Sequence, residues 1–491
     1  MHENVIKTKL QICLSIMAAV AVFAIVCVFF IGVHPIVLFD MDDWRYIAEY
    51  RRPFPIWGGW NPARVFPETV MPLAGYAAAY LVKPLVGDYV LAITVTSGVI
   101  MALAVVMYYL AFKKFVSSIW HVEPVTAVVV SLFFILAHFG LFRSQDANNV
   151  YMFFALDLTC YYFYLLPALL NASLVLYFMA VQDFPKRFYS WNNVQKGIAI
   201  LGLYLAVFSN LFASAILVLF CMVKLGEVSF KKGKQHQFYV TIILIWFLAL
   251  LFEANGGDAV NVGKNYSYLH LPVAEALAAL GTLARQIDWS YVGLMVVSLV
   301  GAAWVYCKKD KREPVDENYR LQMLENSSSI LLVFIFLTLL CAKATPAYAG
   351  RIQSMFGLFF FALLLTFNAG MYLLRQTSLA GKMLPLIFFM FLIIGTNSFS
   401  PFSESNFYNR SPYECMEVSR YFITQVQQAA QAGKHEMVLK VPKGATADNW
   451  PHQQVHMGEK VAHTMLAHGL LSHPMKITIA VDPSLNKQFY K

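Results

Sequence analysis

A series of long apolar segments runs through the first 396 residues of this chain and constrains its fold more than any other feature. A helix needs about 20 consecutive apolar residues to cross a bilayer. Helices satisfy their own backbone hydrogen bonds, which makes them suited to an environment without water. Only 13% of the 491 residues are charged, whereas soluble domains average about 25%. The sequence therefore predicts an α-helical polytopic membrane protein.

The apolar segments predict about 11 transmembrane helices. They are placed at residues 10–31, 88–112, 124–142, 160–181, 197–209, 211–225, 238–253, 289–307, 329–342, 352–374 and 383–396. The apolar run 69–85 is short and contains two prolines and Lys83, so we expect an interfacial helix there, in the first outer loop. The amphipathic stretch 273–287 is likewise expected to lie along the membrane surface.

The distribution of basic residues predicts the orientation. The N-terminus and the assigned inner loops carry 18 of the 37 Lys and Arg residues, whereas the longer outer loops before residue 397 carry 10. By the positive-inside rule, the N-terminus is cytoplasmic and the large loop 32–68 lies outside. The basic residues are scattered between apolar segments instead of forming one patch, which argues against a nucleic-acid partner.

The composition changes at residue 397, where the chain becomes polar. The pattern predicts a helix at 412–432, a strand at 436–442, a helix at about 452–470 and a strand at 476–483. We therefore divide the chain into a transmembrane domain, 1–396, and a small α/β domain on the outer face, 397–491.

Residues 38–68 of the outer loop concentrate charged and aromatic side chains. Three carboxylates, Asp40, Asp42 and Asp43, lie within four positions, and Arg64 and Glu68 follow. Charge at the mouth of a membrane protein is costly and often functional. A carboxylate there could take a proton from a hydroxyl, and arginines could hold a phosphate. The alternative is a solvated loop beside an aromatic belt.

Four stretches resemble one superfamily. They are FDMDDWRY (39–46), NPARVFPETVMPLAGY (61–76), EANGGDAVNVGK (253–264) and TPAYAGRIQSMFG (345–357). Their order, with a first helix, an acidic outer loop, an interfacial helix and many later spans, resembles the GT-C glycosyltransferases that use polyprenyl-phosphate sugars. The last two stretches resemble the later outer loops of bacterial membrane proteins of the serotype-converting glucosyltransferase type. The resemblance covers the layout of the membrane part and not the C-terminal residues.

The resemblance implies roles for individual residues. The catalytic base would be one carboxylate of the Asp42–Asp43 pair, with Asp42 favoured, Asp43 positioning the acceptor or a metal, and Asp40 third. The candidates for binding the lipid phosphate of the donor are Arg64 and Arg351, followed by Lys264, Arg143 and Arg285. Each of these cations could instead be an interfacial anchor that contacts lipid headgroups.

Three further residues are assigned acceptor-binding or structural roles: Trp44, Glu68 and Tyr348. Glu68 lies four residues after Arg64, a spacing at which the two side chains can pair on a helix.

Two constellations could hold a metal ion. The pair Asp42 and Asp43 offers oxygen ligands suited to Mg²⁺, and some members of the superfamily use a divalent cation while others do not. A helix starting after Pro451 would place His452, His456, Glu459 and His463 on one face. Histidines at this spacing can bind zinc, although a solvated face is the commoner outcome, and we assign no metal ligands.

The sequence thus predicts an inverting glycosyltransferase of the bacterial inner membrane. It would transfer a sugar from a polyprenyl-phosphate carrier to an outer-face envelope glycan such as O-antigen. No Walker A motif and no GxGxxG after a strand appears, which argues against a nucleotide-sugar donor. The alternatives are a transporter or flippase of a lipid-linked saccharide and a polysaccharide polymerase or ligase. Transporters often contain repeats, and the sequence has none of fixed period.

Overall fold

A computed structural model describes residues 2–49, 53, 61–140, 150–181, 183–227, 233–256, 270–308, 313–376, 379–396, 410–444, 446–452 and 456–490. It is 78% helical. The helices are α1 (His2–Val28), α2 (Met41–Tyr46), α3 (Pro67–Ala77), α4 (Lys83–Val86), α5 (Tyr89–Trp120), α6 (Pro124–Phe139), α7 (Leu158–Cys160), α8 (Leu166–Ala180), α9 (Phe184–Ser190), α10 (Asn193–Val207), α11 (Leu211–Glu227), α12 (Gly233–Gly256), α13 (Val273–Gln286), α14 (Trp289–Lys308), α15 (Pro314–Ala344), α16 (Phe356–Arg375), α17 (Leu379–Thr396), α18 (Pro412–Gln431), α19 (Met457–Ala467) and α20 (Leu485–Phe489). The strands are β1 (Glu436–Val441) and β2 (Lys476–Val481).

Eight helical segments of the described residues are long and apolar enough to cross a membrane. They are Gln11–Val33, Pro67–Val86, Tyr89–Trp120, Leu158–Ala180, Gly233–Glu253, Trp289–Lys308, Pro314–Ala344 and Phe356–Arg375. Three other apolar helices are shorter: Pro124–Phe139, Asn193–Val207 and Met383–Ile394. The prediction of a helical polytopic membrane protein is therefore confirmed, and the number of crossings stays a prediction.

Helix α15 is much longer than the apolar segment predicted at 329–342, because it begins at Pro314. Proline at the first helical position and a capping box start this helix on polar residues. The backbone N–H of Glu313 donates to the Asp316 carboxylate at 2.8 Å. Apolar patterning detects the part of a helix that lipid surrounds, so it missed this polar first half.

The segment Pro67–Val86 was predicted to be interfacial, although its length also allows it to span. It is one helical run, in which a π-helical turn joins α3 to α4. The hydroxyl of Tyr80 donates to the Ala467 carbonyl at 2.8 Å, and Asp88, just after the run, binds Arg420 at 2.8 Å. Both partners belong to the C-terminal segment, residues 410–490. These contacts hold the C-terminal end of the run against that segment, and the interfacial placement stays a prediction.

The core of the membrane part is formed by α5, α8, α11 and α16, which are largely buried. In contrast, only 17% of the apolar part of the first candidate span, Gln11–Val33, is buried, as expected for a lipid-facing helix. Some of the polar groups inside the bundle are paired: Trp120 Nε1 donates to Asn368 at 2.9 Å, and the Tyr108 hydroxyl lies 3.2 Å from His138 Nε2. Such pairing avoids unsatisfied polar groups in an apolar environment.

The C-terminal segment has the predicted order of helix, strand, helix and strand. Strands β1 and β2 are parallel and pair from Glu436 with Lys476 to Val441 with Val481. Helix α19 connects them, as parallel pairing requires. It begins at Met457, later than the predicted 452.

The packing of Gly75 in α3 yields a stability prediction. A Cβ added at Gly75 would lie 2.1 Å from the Ile47 carbonyl oxygen and 2.9 Å from the His468 ring. We expect Gly75→Ala to lower the free energy of unfolding by about 1–3 kcal/mol, because the backbone of residue 47 must move. Gly197→Ala is the control, since nothing lies within 4 Å of a Cβ at this helical position. Thermal unfolding in detergent measures both, and equal melting temperatures would contradict the packing.

Candidate functional site

The acidic loop, residues 38–46, is built around a helix start. Asp40 is the N-cap of α2, and its carboxylate accepts the Asp42 backbone N–H at 2.8 Å. The Asp43 carboxylate in turn accepts the backbone N–H of Asp40 at 3.0 Å. This reciprocal capping box satisfies backbone donors that a helix start leaves open. Two of the three predicted carboxylates therefore hold the local backbone.

Asp43 is completely buried, and its two carboxylate oxygens accept four hydrogen bonds. One oxygen accepts the backbone N–H groups of Phe39 and Asp40 at 3.1 and 3.0 Å. The other accepts the backbone N–H and the hydroxyl of Thr159, both at 2.8 Å. Its lone pairs are thus occupied. This favours a structural role for Asp43 over the predicted acceptor-positioning or metal-binding role, and a divalent cation would depend mainly on Asp42.

Asp42 differs from its neighbours because its side chain is only partly buried. Among the described residues, none donates a hydrogen bond to its carboxylate. Burial and the nearby Asp157 carboxylate raise the pKa of Asp42 to about 6, while Arg45 and Arg64 act in the opposite direction. Asp42 therefore combines available lone pairs with a pKa close to neutral, whereas Asp43, with a pKa raised to about 8, has its lone pairs occupied.

Asp157 is a fourth carboxylate of this cluster and is not among the residues predicted from the sequence. It caps the helical segment that begins at Leu158 by accepting the Cys160 backbone N–H at 2.6 Å. Burial raises the pKa of Asp157, and the N–H of Cys160 and the charge of Arg351 oppose that rise. Asp157 itself raises the pKa of Asp40 and Asp43, which burial has already increased. An aspartate just before an apolar run is a typical N-cap signal and could have revealed it.

The two favoured arginines lie at the same end of the helix bundle as the acidic cluster. Both Arg64 and Arg351 interact electrostatically with the Tyr164 side chain. Arg64 lies 3.4 Å from the Tyr46 hydroxyl and also interacts with Asp42. Arg351 interacts with Asp157. The structure therefore brings together acids and arginines that are distant in the sequence.

Arg351 stacks on an aromatic ring. Its guanidinium lies 4.5 Å from the centre of the Tyr348 ring. Within the described part of the chain, no carboxylate oxygen lies within 4 Å of it. Arginine on an aromatic face keeps its N–H donors available for a planar anion. Tyr348 is thus placed to orient Arg351.

Arg64 is paired with Glu68, as its spacing predicted. The guanidinium lies 3.6 Å from the Glu68 carboxylate, which is almost fully buried. It also lies 5.7 Å from the centre of the Phe163 ring. Glu68 therefore has a structural role that orients Arg64.

The remaining predicted residues do not join the cluster. Trp44 is completely buried, and its carbonyl accepts a hydrogen bond from Thr464, which favours its structural role over acceptor binding. Arg285 is exposed in the last turn of α13. Its contacts within the described residues include none of the four carboxylates. Arg143 and Lys264 lie outside the described residues.

The proposed histidine face does not form, because α19 begins only at Met457. His452 precedes that helix and is buried against the rings of Phe39 and Phe422, whereas His463 is exposed. No group of three or more His, Cys, Asp or Glu side chains suited to a metal ion occurs among the described residues.

A comparison with known protein families, curated proteins and solved structures finds no match for this chain. The functional assignment therefore depends on the geometry and chemistry of the acidic cluster and its arginines.

The raised pKa of Asp42 predicts a pH-dependent cost to stability. Its carboxyl titrates near pH 4 in the unfolded chain and near pH 6 in the folded protein. The folded protein therefore binds more protons between these values and loses stability as the pH rises through 6. We expect Asp42→Asn to stabilise the protein by about 1–2 kcal/mol at pH 8 and to have little effect at pH 4.

Thermal unfolding at both pH values measures this difference. Asp482→Asn is the control, because hydrogen bonds from Ser484 lower the pKa of that exposed carboxyl and no gain at pH 8 is expected. A loss of stability at pH 8 in Asp42→Asn would show that ionised Asp42 is stabilised in the fold.

Proposed function

We propose that the protein is an inverting glycosyltransferase of GT-C type in the bacterial inner membrane. It transfers a sugar from a polyprenyl-phosphate carrier to an outer-face envelope glycan such as O-antigen. The N-terminus is cytoplasmic, and the acidic loop and the C-terminal segment lie on the periplasmic face.

The proposal rests on Asp42, which has a raised pKa and a carboxylate to which no described residue donates a hydrogen bond. General-base catalysis works best when the pKa of the base lies close to the operating pH. The pKa of Asp42 is raised to about 6, and no described residue donates a hydrogen bond to its carboxylate. Asp40 and Asp43 instead hold the backbone of α2. Asp42 is thus the best candidate in the acidic loop to accept a proton.

The arginines suit the other half of the reaction. A lipid phosphate leaves as an anion, so it needs cations more than it needs a proton donor. Arg64 interacts with Asp42. Arg351 interacts with Asp157, the carboxylate next to Asp42. Arginine binds phosphate through paired, charge-assisted hydrogen bonds. The base and the phosphate-binding groups therefore lie in one region.

The reaction is a single displacement. The acceptor hydroxyl oxygen forms a bond to the anomeric carbon of the sugar while the bond from that carbon to the phosphate oxygen breaks. The hydroxyl proton moves to Asp42, and the electron pair leaves with the lipid phosphate. One displacement inverts the configuration at the anomeric carbon.

One observation favours the alternative of a transporter or flippase. Glu325 in α15 is almost fully buried and forms an ion pair with Lys224 of α11. Three further buried residues on α15 carry side-chain oxygens that accept no hydrogen bond among the described residues: Gln322, Asn326 and Ser329. Buried polar groups in transmembrane helices often mark a transport pathway. Polar side chains are therefore also buried within these helices. No comparable observation among the described residues favours the polymerase or ligase alternative.

A transfer assay tests the proposal. The purified protein is incorporated in nanodiscs with a radiolabelled polyprenyl-phosphate hexose and a lipopolysaccharide-type acceptor. We expect Asp42→Asn to reduce kcat by about 10²–10⁴-fold, the usual contribution of a general base. Arg351→Ala is expected to reduce kcat/KM by about tenfold or more, and Arg351→Lys by less, because lysine keeps the charge but cannot form a bidentate contact.

The exposed Arg285 supplies the control, and Arg285→Ala is expected to stay within about twofold of the wild type. Transfer that survives Asp42→Asn would exclude Asp42 as the base while leaving the enzyme class intact. If the label never leaves the carrier with any sugar tested, the transferase proposal is wrong and the transporter alternative is favoured.

A further inference from the structure

We infer that the C-terminal segment is part of the candidate site, in which Ser419 and Thr464 are positioning residues that fix the acidic loop around Asp42. The functional half of this inference rests on the proposed transferase activity. The structural half stands on contacts of the loop alone.

Three hydrogen bonds join the C-terminal segment to the backbone of the acidic loop. The Ser419 hydroxyl of α18 donates to the Leu38 carbonyl, and the Thr464 hydroxyl of α19 donates to the Trp44 carbonyl. The backbone N–H of Met41 donates to the Pro451 carbonyl at 3.2 Å. These contacts lie on both sides of Asp42, so they fix the loop at its two ends and near its centre.

Both hydroxyls behave differently from most Ser and Thr hydroxyls in helices. Such hydroxyls commonly bind the carbonyl four residues earlier in their own helix, as Thr424 does in α18 at 2.9 Å and Ser131 does in α6 at 2.6 Å. Ser419 and Thr464 instead reach a distant part of the chain, and both residues are completely buried. Each hydroxyl therefore donates a hydrogen bond to a buried carbonyl of the loop.

The loop and the residues just after it also pack against the C-terminal segment and α3. The His452 ring lies 5.1 Å from the Phe39 ring, and Lys460 lies 3.6 Å from the Glu49 carboxylate. Helix α3 packs closely at Ile47, since a Cβ at Gly75 would lie 2.1 Å from the Ile47 carbonyl oxygen. A loop packed against two elements keeps one geometry.

This geometry matters because no described residue donates a hydrogen bond that would orient the Asp42 carboxylate. Its position relative to Asp157 and Arg64 depends on the backbone that carries it. Displacing a reacting group by about 1 Å can reduce the rate about 100-fold. The C-terminal segment therefore sets the distance between the base and the phosphate-binding arginines.

The test compares the double variant Ser419→Ala/Thr464→Val with the wild type in nanodiscs. Hydrogen exchange is followed in a peptide covering residues 38–47, and kcat and KM are measured in the transfer assay. We expect exchange in this peptide to become about tenfold faster, because two buried hydrogen bonds are lost. The same variant is expected to lower kcat by about tenfold or more with KM unchanged, since binding groups stay in place.

Two kinds of control separate positioning from unfolding. Thr424→Val and Ser472→Ala remove exposed hydroxyls of the same segment and should change neither readout. The single variant Thr464→Ser keeps the hydroxyl, so its hydrogen exchange and its kcat should match those of the wild type. Exchange across α8 (Leu166–Ala180) should stay at the wild-type rate in every variant.

Unchanged exchange in residues 38–47 would refute the inference, and so would faster exchange with an unchanged kcat. A variant that misfolds is recognised by faster exchange in α8, and the single variants Ser419→Ala and Thr464→Val then decide in its place. A wild type without transfer activity refutes the proposed function and with it the positioning role, whereas the exchange result still decides whether the segment holds the loop.

Discussion

The acidic loop depends on the hydrogen bonds of one buried carboxylate, that of Asp43. Its four donors come from the loop itself and from Thr159 at the start of a predicted membrane span. Burying a carboxyl group is costly unless hydrogen bonds replace its water. Asp43 therefore fixes the loop to the helix bundle, and this attachment brings Asp42 close to Asp157.

The close approach of the carboxylates has an electrostatic consequence. Burial and the charge of Asp157 raise the pKa of Asp40, Asp42 and Asp43. A cluster that resists ionisation reduces the stability of the fold at neutral pH. Proteins tolerate such costs mainly at functional sites. Nearby arginines partly offset the charge, because Arg64 acts on Asp42 and Arg351 acts on Asp157.

Features that depend on neighbouring residues could be predicted from the sequence. The acidic loop, the pairing of Arg64 with Glu68 and the order of elements in the C-terminal segment follow from residue spacing and periodicity, and the structure contains all three. The helix predicted from residue 452 begins only at Met457 in the structure.

Contacts between distant residues could not be predicted in this way. Asp157 was missed because its partners are close only in the folded chain, although its capping position was visible in the sequence. Thr159 and Asp43 are 116 positions apart, and Ser419 and Leu38 are 381 apart. No periodicity of a single chain encodes such pairs. The structural roles of Asp43 and Trp44 became apparent only from these contacts.

In the proposed reaction, Arg64 and Arg351 hold a lipid phosphate beside Asp42. An experimental structure of the protein in nanodiscs with a bound polyprenyl phosphate tests it most directly. We expect the phosphate oxygens to lie about 2.7–2.9 Å from guanidinium nitrogens of both arginines, with the Asp42 carboxylate facing the same space. A phosphate bound away from both arginines, near the Lys224–Glu325 ion pair, would contradict this placement and support transport instead.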